Sequence, residues 1–490
     1  MLRTSFGSRL LSTSRKSVSV VGSGPSGFYT VCRLLAKSKE SLDVTLWEKL
    51  PVPFGLSRYG VAPDHPEVKN CEDTFTRCAE EFQTENAAGH KFRFIGNVDI
   101  GKDIKLKQLL DCQNAVILSY GCGGDHKLNI PGEDTTNGVF TSREVVSWYN
   151  GHPSFAGNEK LNNFDWSRVK RVGIIGNGNV ALDLARILLS NQVSEIWAQT
   201  DINPLALEKL RTAPIEEVKL IARRDFLHSK FTNKEFRELW ELERFGIRGV
   251  IRPEFLNLHK LGEASSDRVL KRRIEMITEY MLPFDQRTKK NYKKHRPPEH
   301  GLNRQWEMDY LKTPIKVNCN AAGKLNSLTV CDNKMTVDNR VELLSNQTQD
   351  YELDVLITSL GYGSNPLDEF KSLDIGFVRN HVANSRGAVL NTENEVIPGL
   401  YAAGWIRKGS SGVIASTMAD AFEVADTVLQ ELSTFQPRKN SAIDVAHHTF
   451  TTWNDWLKLD AEERRRGREQ GKPREKFLSA DEMLEFLNKK

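Results

Sequence analysis

Apolar positions in this chain repeat one grouping at two places. "VSVV" (18–21) is a short β-branched run that stops at a glycine. "PSGFYTVCRLLAK" (25–37) then spaces its apolar residues helically, and "LDVTLWEKL" (42–50) is strand-like again. The grouping returns at residue 171, where "RVGIIGNG" enters "NVALDLARILL". Its partner strand is "VKLIARR" (218–224), after the insertion "VSEIWAQTDINPLALEKLRTAPIEE". Each is a β-α-β unit, the building block of a parallel sheet. "AVILSYGC" reads as a further buried strand, and "YELDVLITSLGY" as a strand leaving a domain. "IPGLYAAGWIRKGSSGVIASTMADAFEVADTVL" reads as a strand, a glycine loop and a long helix.

That last segment matches the N-terminal unit better than the middle one, so the first domain is discontinuous. The predicted fold is α/β, with two Rossmann-like three-layer domains, the second inserted into the first. The boundaries are 17–124 and 356–490 for the outer domain and 125–355 for the inserted one. The Pro- and Gly-rich "PVPFGLSRYGVAPDHPEVK" (51–69) is too long for a structureless loop without a task. "ERRRGREQGKPREK", near the C-terminus, reads as a solvated charged face.

The glycines carry the first chemical signal. Gly22, Gly24 and Gly27 form G-x-G-x-x-G between strand and helix. The first permits the tight turn, the second lets backbone approach a pyrophosphate, and the third lets helix and strand pack. The helix N-terminus then faces the anion. Glu48, 21 residues after Gly27 at a strand end, can accept from ribose hydroxyls and would repel a 2′-phosphate. With Gly412, Val413 and Ile414 as a late amide cluster for isoalloxazine carbonyls, this site reads as FAD. Gly176, Gly178 and Ala181 form G-x-G-x-x-A, and the following strand ends in "ARRD" rather than in an acid. Arg223 and Arg224 are planar donor forks suited to a 2′-phosphate, so the second site reads as NADP(H). Two charge-assisted hydrogen bonds at roughly 1.5–3 kcal/mol each would favour NADPH over NADH by about 10²- to 10⁴-fold before solvent screening. Two such sites suit hydride transfer from NADPH to a bound flavin.

Composition narrows the setting. The chain has 490 residues and a net charge of +4, which alone does not suggest nucleic acid. Its seven cysteines include no C-x-x-C pair, which argues against a zinc site, a compact iron–sulfur cluster and a disulfide oxidoreductase; no metal ligands are assigned. Residues 1–16 are rich in Arg and Ser and hold no acid, a mitochondrial transit-peptide composition. No run approaches the roughly 18 apolar residues of a membrane span, so any membrane association is peripheral. Charge is uneven: residues 268–296 hold ten Lys or Arg against three acids, +7 locally. Few aromatics interleave with those charges, so the segment does not read as a nucleic-acid surface.

On "VVGSGPSGFYT", "WEKLPVPFGLSRYGVAPDHPEVKN", "LSYGCGGDHKLNIPGE", "GNGNVALDLARILL", "ARRDFLHSKFTNKEFRE", "YAAGWIRKGSSGVIASTMADA" and "GKPREK", the chain resembles the adrenodoxin reductase family. These are the mitochondrial NADPH:ferredoxin oxidoreductases, and the likeness is greatest to fungal members. The resemblance implies FAD contacts at Ser26, Glu48, Leu56, Val98, Trp405, Gly412, Val413 and Ile414. It implies NADP contacts at Asn177, Gly178, Asn179, Val180, Arg223, Arg224, Glu235 and Gly412. Trp405 after "YAAG" is the version of this subfamily, and Ser26 stands where vertebrate members carry Ala. Residues 245–350 match poorly. His65 and Asp183 lie in matching stretches near the expected flavin and nicotinamide, as candidates for proton relay or charge tuning; the alternative is that both are structural. The implied partner is an acidic [2Fe–2S] ferredoxin docking on a basic face that includes Arg237 and 268–296. The implied location is the mitochondrial matrix or the matrix face of the inner membrane. A flavin disulfide reductase would need a redox cysteine pair, and the electron-input subunit of an amidotransferase-type synthase would need a Cys-rich N-terminal domain; the sequence carries neither motif.

Overall fold

The computed structural model of the chain describes residues 15–83, 89–256, 267–299, 301–436 and 443–489. Most of the expected presequence, residues 1–14, lies outside them. Lys16 already belongs to the first strand, Lys16–Val21, where its ammonium is buried and donates to the Leu432 carbonyl.

Two sheets organise the chain. The first runs Asn384–Ser385, Ala388–Leu390, Val396–Ala402, Ala115–Leu118, Lys16–Val21, Leu42–Trp47, Lys91–Ile95. Its last five strands pair parallel, and an antiparallel hairpin closes the other edge. Alternation along each strand builds two cores. Val18, Val20, Val44, Ile117 and Tyr401 face one layer; Val21, Trp47, Val116, Leu118 and Leu400 face the other. Burial on both faces is why the central strand Ala115–Leu118 reads as a continuous apolar run.

The second sheet is all parallel, in the order Val139–Thr141, Val355–Thr358, Arg171–Ile175, Glu217–Ile221, Arg304–Asp309, Ile247–Ile251. Val172, Ile174, Val218 and Leu220 point into a helix-covered core, while Ile175, Ile221 and Leu356 point the other way. That other face is covered by a three-stranded antiparallel sheet, Lys312–Cys319, Leu325–Met335 and Val341–Glu352. It lies in the stretch for which the sequence offered no assignment.

The insertion is explicit in the pairing. The chain leaves the first sheet after Ala115–Leu118, builds the second, and returns as Val396–Ala402 beside the strand it left, with Leu400 opposite Val116. The outgoing and returning connectors pair antiparallel as Gly124–Asp125 with Tyr362–Gly363. Val355–Thr358 pairs with Arg171–Ile175 in the second sheet. The C-terminal charge run is also not simply solvated. In helix Trp453–Glu469, Trp453, Trp456, Leu459 and Glu463 are buried, and Arg58 and Arg474 converge on the Glu463 carboxylate at 2.5 and 2.8 Å.

Candidate functional site

The first glycine turn shows what each glycine is for. A Cβ on Gly22, at φ +103°, would strike the Tyr120 backbone at 2.6 Å, and one on Gly27 would sit 1.9 Å from the Gly22 carbonyl oxygen. A Cβ on Gly24 would meet nothing within 4 Å. Two glycines are thus demanded by the protein's own packing, and the middle one faces open space at the start of helix Pro25–Lys37. The Ser26 hydroxyl beside it is buried without a hydrogen-bond partner. Glu48 is buried, and its carboxylate accepts from Ser23 N (3.0 Å), Ser23 Oγ (2.7 Å) and Leu50 N (3.0 Å). The turn itself therefore fixes this carboxylate at the strand end. Val98 is buried and donates its N–H to the Glu48 carbonyl.

Distant segments close on this turn. Phe54 N donates to Ser23 O, and Gly55 lies so near Gly24 that its Cβ would stand 3.0 Å from the Gly24 Cα; Leu56 follows, half-buried. A Cβ on Gly404 would sit 2.5 Å from Ser26 Oγ, so Trp405 enters from the far end of the sequence. Its ring is 5.8 Å from that of Tyr362. Helix Ile414–Leu432 begins after Gly412 (φ +86°) and exposed Val413, and it packs along Pro25–Lys37. A dinucleotide pyrophosphate fits the open Gly24 turn, and Trp405 supplies an aromatic ring near it; at the start of the late helix the Val413 amide is held by Ser416 Oγ (3.1 Å).

The second turn repeats the design. A Cβ on Gly176 would meet the Ser359 carbonyl at 2.3 Å, and one on Gly178 nothing within 4 Å. Helix Asn179–Leu189 starts there, with Val180 in its first turn and Ala181 fully buried against the core. Segment 229–232 grips both asparagines: Asn177 Nδ2 donates to Ser229 Oγ (3.1 Å), and Thr232 N to Asn179 Oδ1 (2.8 Å). Arg223 and Arg224 are exposed, and among the described residues neither guanidinium has a hydrogen-bond or ion-pair partner. Glu235, in the first turn of helix Asn233–Glu241, keeps a buried carboxylate oxygen without a partner. Open space, free amides and an unpaired cationic pair fit a phosphorylated dinucleotide here too.

His65 and Asp183 meet in one ionic cluster. His65 Nε2 lies 2.7 Å from Glu238 Oε2, and buried Arg186 donates to Asp64 (2.8 and 2.9 Å), Asp183 (2.9 Å) and Glu238 (3.3 Å). Burial opposes charge on His65, but the bond to Glu238 overcomes it and raises the imidazole pKa. Burial pushes Asp183 up to about 6 against the pull of Arg186 and His65. Nearby, Lys234 pairs with Glu67 (2.5 Å), and Asp201 receives both Lys69 (2.7 Å) and Lys476 (2.9 Å). Four charged residues of one loop, Asp64, His65, Glu67 and Lys69, are thus tied to the inserted domain. Sequence reasoning singled out His65 and Asp183 but missed Asp64, Arg186, Glu238 and Asp201; its only signal was the charge density of "DHPEVK".

Two other expectations change. Of the ten cations in 268–296, Arg273 and Arg287 are buried, Arg287 on Glu243; Lys289 and Arg296 pair with Glu275 and Asp285. Arg268, Lys271, Arg272, Lys290, Lys293 and Lys294 remain exposed without ion pairs among the described residues. Arg237, Arg272 and Lys294 line one cavity of about 400 Å³ with Asn233 and Asn291. The fold also brings together two thiols that no motif links, Cys32 and Cys78, on packed helices. The neighbouring Cys78 thiol and burial raise the Cys32 pKa, which disfavours the reactive thiolate.

No protein-family model matches the chain. It is 59% identical over 473 residues to a probable mitochondrial NADPH:adrenodoxin oxidoreductase of Saccharomyces cerevisiae, covering 96% of each. It is 37% identical over 488 residues to the mitochondrial NADPH:adrenodoxin oxidoreductase of Bos taurus, covering 96% of this chain and 92% of that one. Among solved structures it is similar to Mycobacterium tuberculosis FprA in complex with NADPH, with TM-score 0.81 and 31% identity over 96% of this chain and 99% of the other. The chain belongs to the NADPH:adrenodoxin oxidoreductase family.

Proposed function

We propose that this chain is an FAD-dependent NADPH:ferredoxin oxidoreductase working in the mitochondrion, as its relatives' names imply. The carrying observation is the pair of open glycine turns with opposite surroundings: a fixed carboxylate, Glu48, at the first and two unpaired arginines, Arg223 and Arg224, after the second. Bound FAD would accept a hydride from NADPH and release its electrons singly. The protein's part is placement and electrostatics. The Gly24 turn, Ser26, Leu56, Val98, Trp405 and Gly412–Ile414 would hold the flavin, with Glu48 anchoring the turn at the ribose end. Asn177–Val180, Glu235 and the arginine pair would hold NADP(H). The cluster of His65, Asp183, Arg186 and Glu238 clamps the flavin-side loop onto the coenzyme domain, and Asp183, with its pKa near neutrality, can exchange a proton there.

The acceptor is a ferredoxin, and the surface around the Arg237–Arg272–Lys294 cavity is its docking site. An acidic [2Fe–2S] protein suits those unpaired cations, and attraction of that kind weakens as salt screens it. The residues before Lys16 would act as the import sequence, since Lys16 itself belongs to the first strand, and the segments around Thr358 as the boundary between domains. The test uses the yellow holoprotein: anaerobic NADPH bleaches it, and only added [2Fe–2S] ferredoxin restores the colour, more slowly as ionic strength rises. A colourless protein, or reoxidation by ferredoxin at a rate independent of salt, would defeat the cofactor or the docking assignment respectively.

A further inference from the structure

The three-stranded sheet that the sequence did not reveal ends against the arginine pair. Three successive carbonyls there are each held from that sheet's base. Lys312 N donates to Ala222 O (3.0 Å), Leu311 N to Arg224 O (3.4 Å), and between them Asn333 Nδ2 donates to Arg223 O (3.0 Å). Two of the three donors are backbone; only Asn333 acts through its side chain. Strand Leu325–Met335 breaks register between Cys331 and Asn333, and such a bulge re-aims a side chain. Asn333 N is itself bonded to Leu311 O (2.8 Å), which fixes the residue from below. The side chain is 5% exposed, and its Oδ1 is buried with no partner. A buried amide with an orphaned acceptor is unfavourable for stability alone. What this residue gains is one bond, and it holds the backbone from which Arg223 projects.

We propose that Asn333 is a positioning residue for coenzyme selection: by pinning the Arg223 carbonyl it presets the Arg223 guanidinium for the 2′-phosphate of NADPH. The proposal rests on the reading of Arg223 and Arg224 as the phosphate anchors. An exposed arginine fork loses much freedom when it engages an anion, and a fixed backbone lowers that loss. Asn333 need not touch the coenzyme, and NADH, which lacks the 2′-phosphate, gains nothing from it.

The test measures 2′,5′-ADP binding to the holoenzyme by titration, together with KM and kcat for NADPH and NADH. It compares Asn333→Leu, which keeps the branching and heavy-atom count but removes the donor, with Asn333→Ala, Arg223→Ala, Arg224→Ala and the double variant Asn333→Leu/Arg223→Ala. Expected for Asn333→Leu are roughly 3- to 10-fold weaker 2′,5′-ADP binding and a matching rise in KM for NADPH, with kcat and the NADH constants unchanged. Arg223→Ala weakens binding further, and the double variant equals it, because Asn333 acts through Arg223. Parallel losses with NADPH and NADH, or additive losses in the double variant, would reduce Asn333 to a structural residue. If Arg223→Ala weakens 2′,5′-ADP and neither Asn333 variant does, this proposal fails and the phosphate reading stands. If Arg223→Ala and Arg224→Ala both leave binding intact, the phosphate reading itself falls.

Discussion

Replacing Asp183 by Asn should stabilise the protein, and only above a defined pH. Asp183 lies on helix Asn179–Leu189 with Arg186 Nη1 at 2.9 Å. Burial raises its pKa from 3.8 to about 6; Arg186 and His65 offset part of that, and Asp64 and Glu235 add to it. A raised folded-state pKa means the folded chain holds the proton more tightly than the unfolded chain. The stability this confers is full below pH 3.8 and is lost as pH rises through 6. At 1.36 kcal/mol per unit, a shift of roughly two units amounts to about 3 kcal/mol of lost stability near neutrality. Asn is the permanently neutral version of the same shape, and Arg186 keeps Asp64 and Glu238 as counter-charges. The advantage of Asp183→Asn over the parent should be near zero at the acid limit and about half developed at pH 5. It should level off above pH 6 at about 1–3 kcal/mol. Calorimetric melting of parent and variant at one scan rate between pH 5 and 8 reads it, at about 2–4 °C per kcal/mol or somewhat less for a chain this long. A gap that does not change between pH 5 and 7, or a parent more stable at pH 8, would refute the reasoning; Arg186 would then outweigh burial. A stabilised variant with slower NADPH-dependent reduction would show that the cluster trades stability for function.

Other consequences can be checked directly. Gly24→Ala should fold yet purify colourless, because its Cβ meets no protein atom but stands where the pyrophosphate would lie; Gly27→Ala should fail to fold, its Cβ being 1.9 Å from the Gly22 oxygen. Circular dichroism and flavin absorbance separate the two outcomes, and a yellow Gly24→Ala would count against the pyrophosphate assignment. His65→Gln should slow hydride or electron transfer in stopped-flow measurements if His65 relays a proton; unchanged rates would leave it as a clamp on Glu238. Glu463→Gln strips the full charge from a fully buried carboxylate that serves Arg58, Arg474 and the Phe477 amide. A loss of about 3–5 kcal/mol is expected, with faster flavin release because Arg58 shares the short helix Leu56–Tyr59 with Leu56. Denaturation by urea and the rate of flavin loss measure both; a silent variant would remove the C-terminal helix from the account.

The local chemistry of this protein was written in its sequence. Glycine spacing dictates the two turns, because Gly22 and Gly176 need positive φ and Gly27 needs to lack a Cβ, and both are properties of single residues. The central strand Ala115–Leu118 was legible because burial on both faces leaves a continuous apolar run, and the insertion because the late strand and helix shared the character of the first unit. Pairings between distant residues were decided only by the tertiary structure. The sequence counts charges but not their partners, so +7 in residues 268–296 became a smaller exposed set once Arg273 and Arg287 were buried. Nothing near Asp64 or His65 in sequence names Arg186 or Glu238, since an ion pair depends on where two backbones come to lie. Asn333 shows the same limit: a register shift in a polar antiparallel sheet, with no strong period to announce it, sets which carbonyl that side chain can reach.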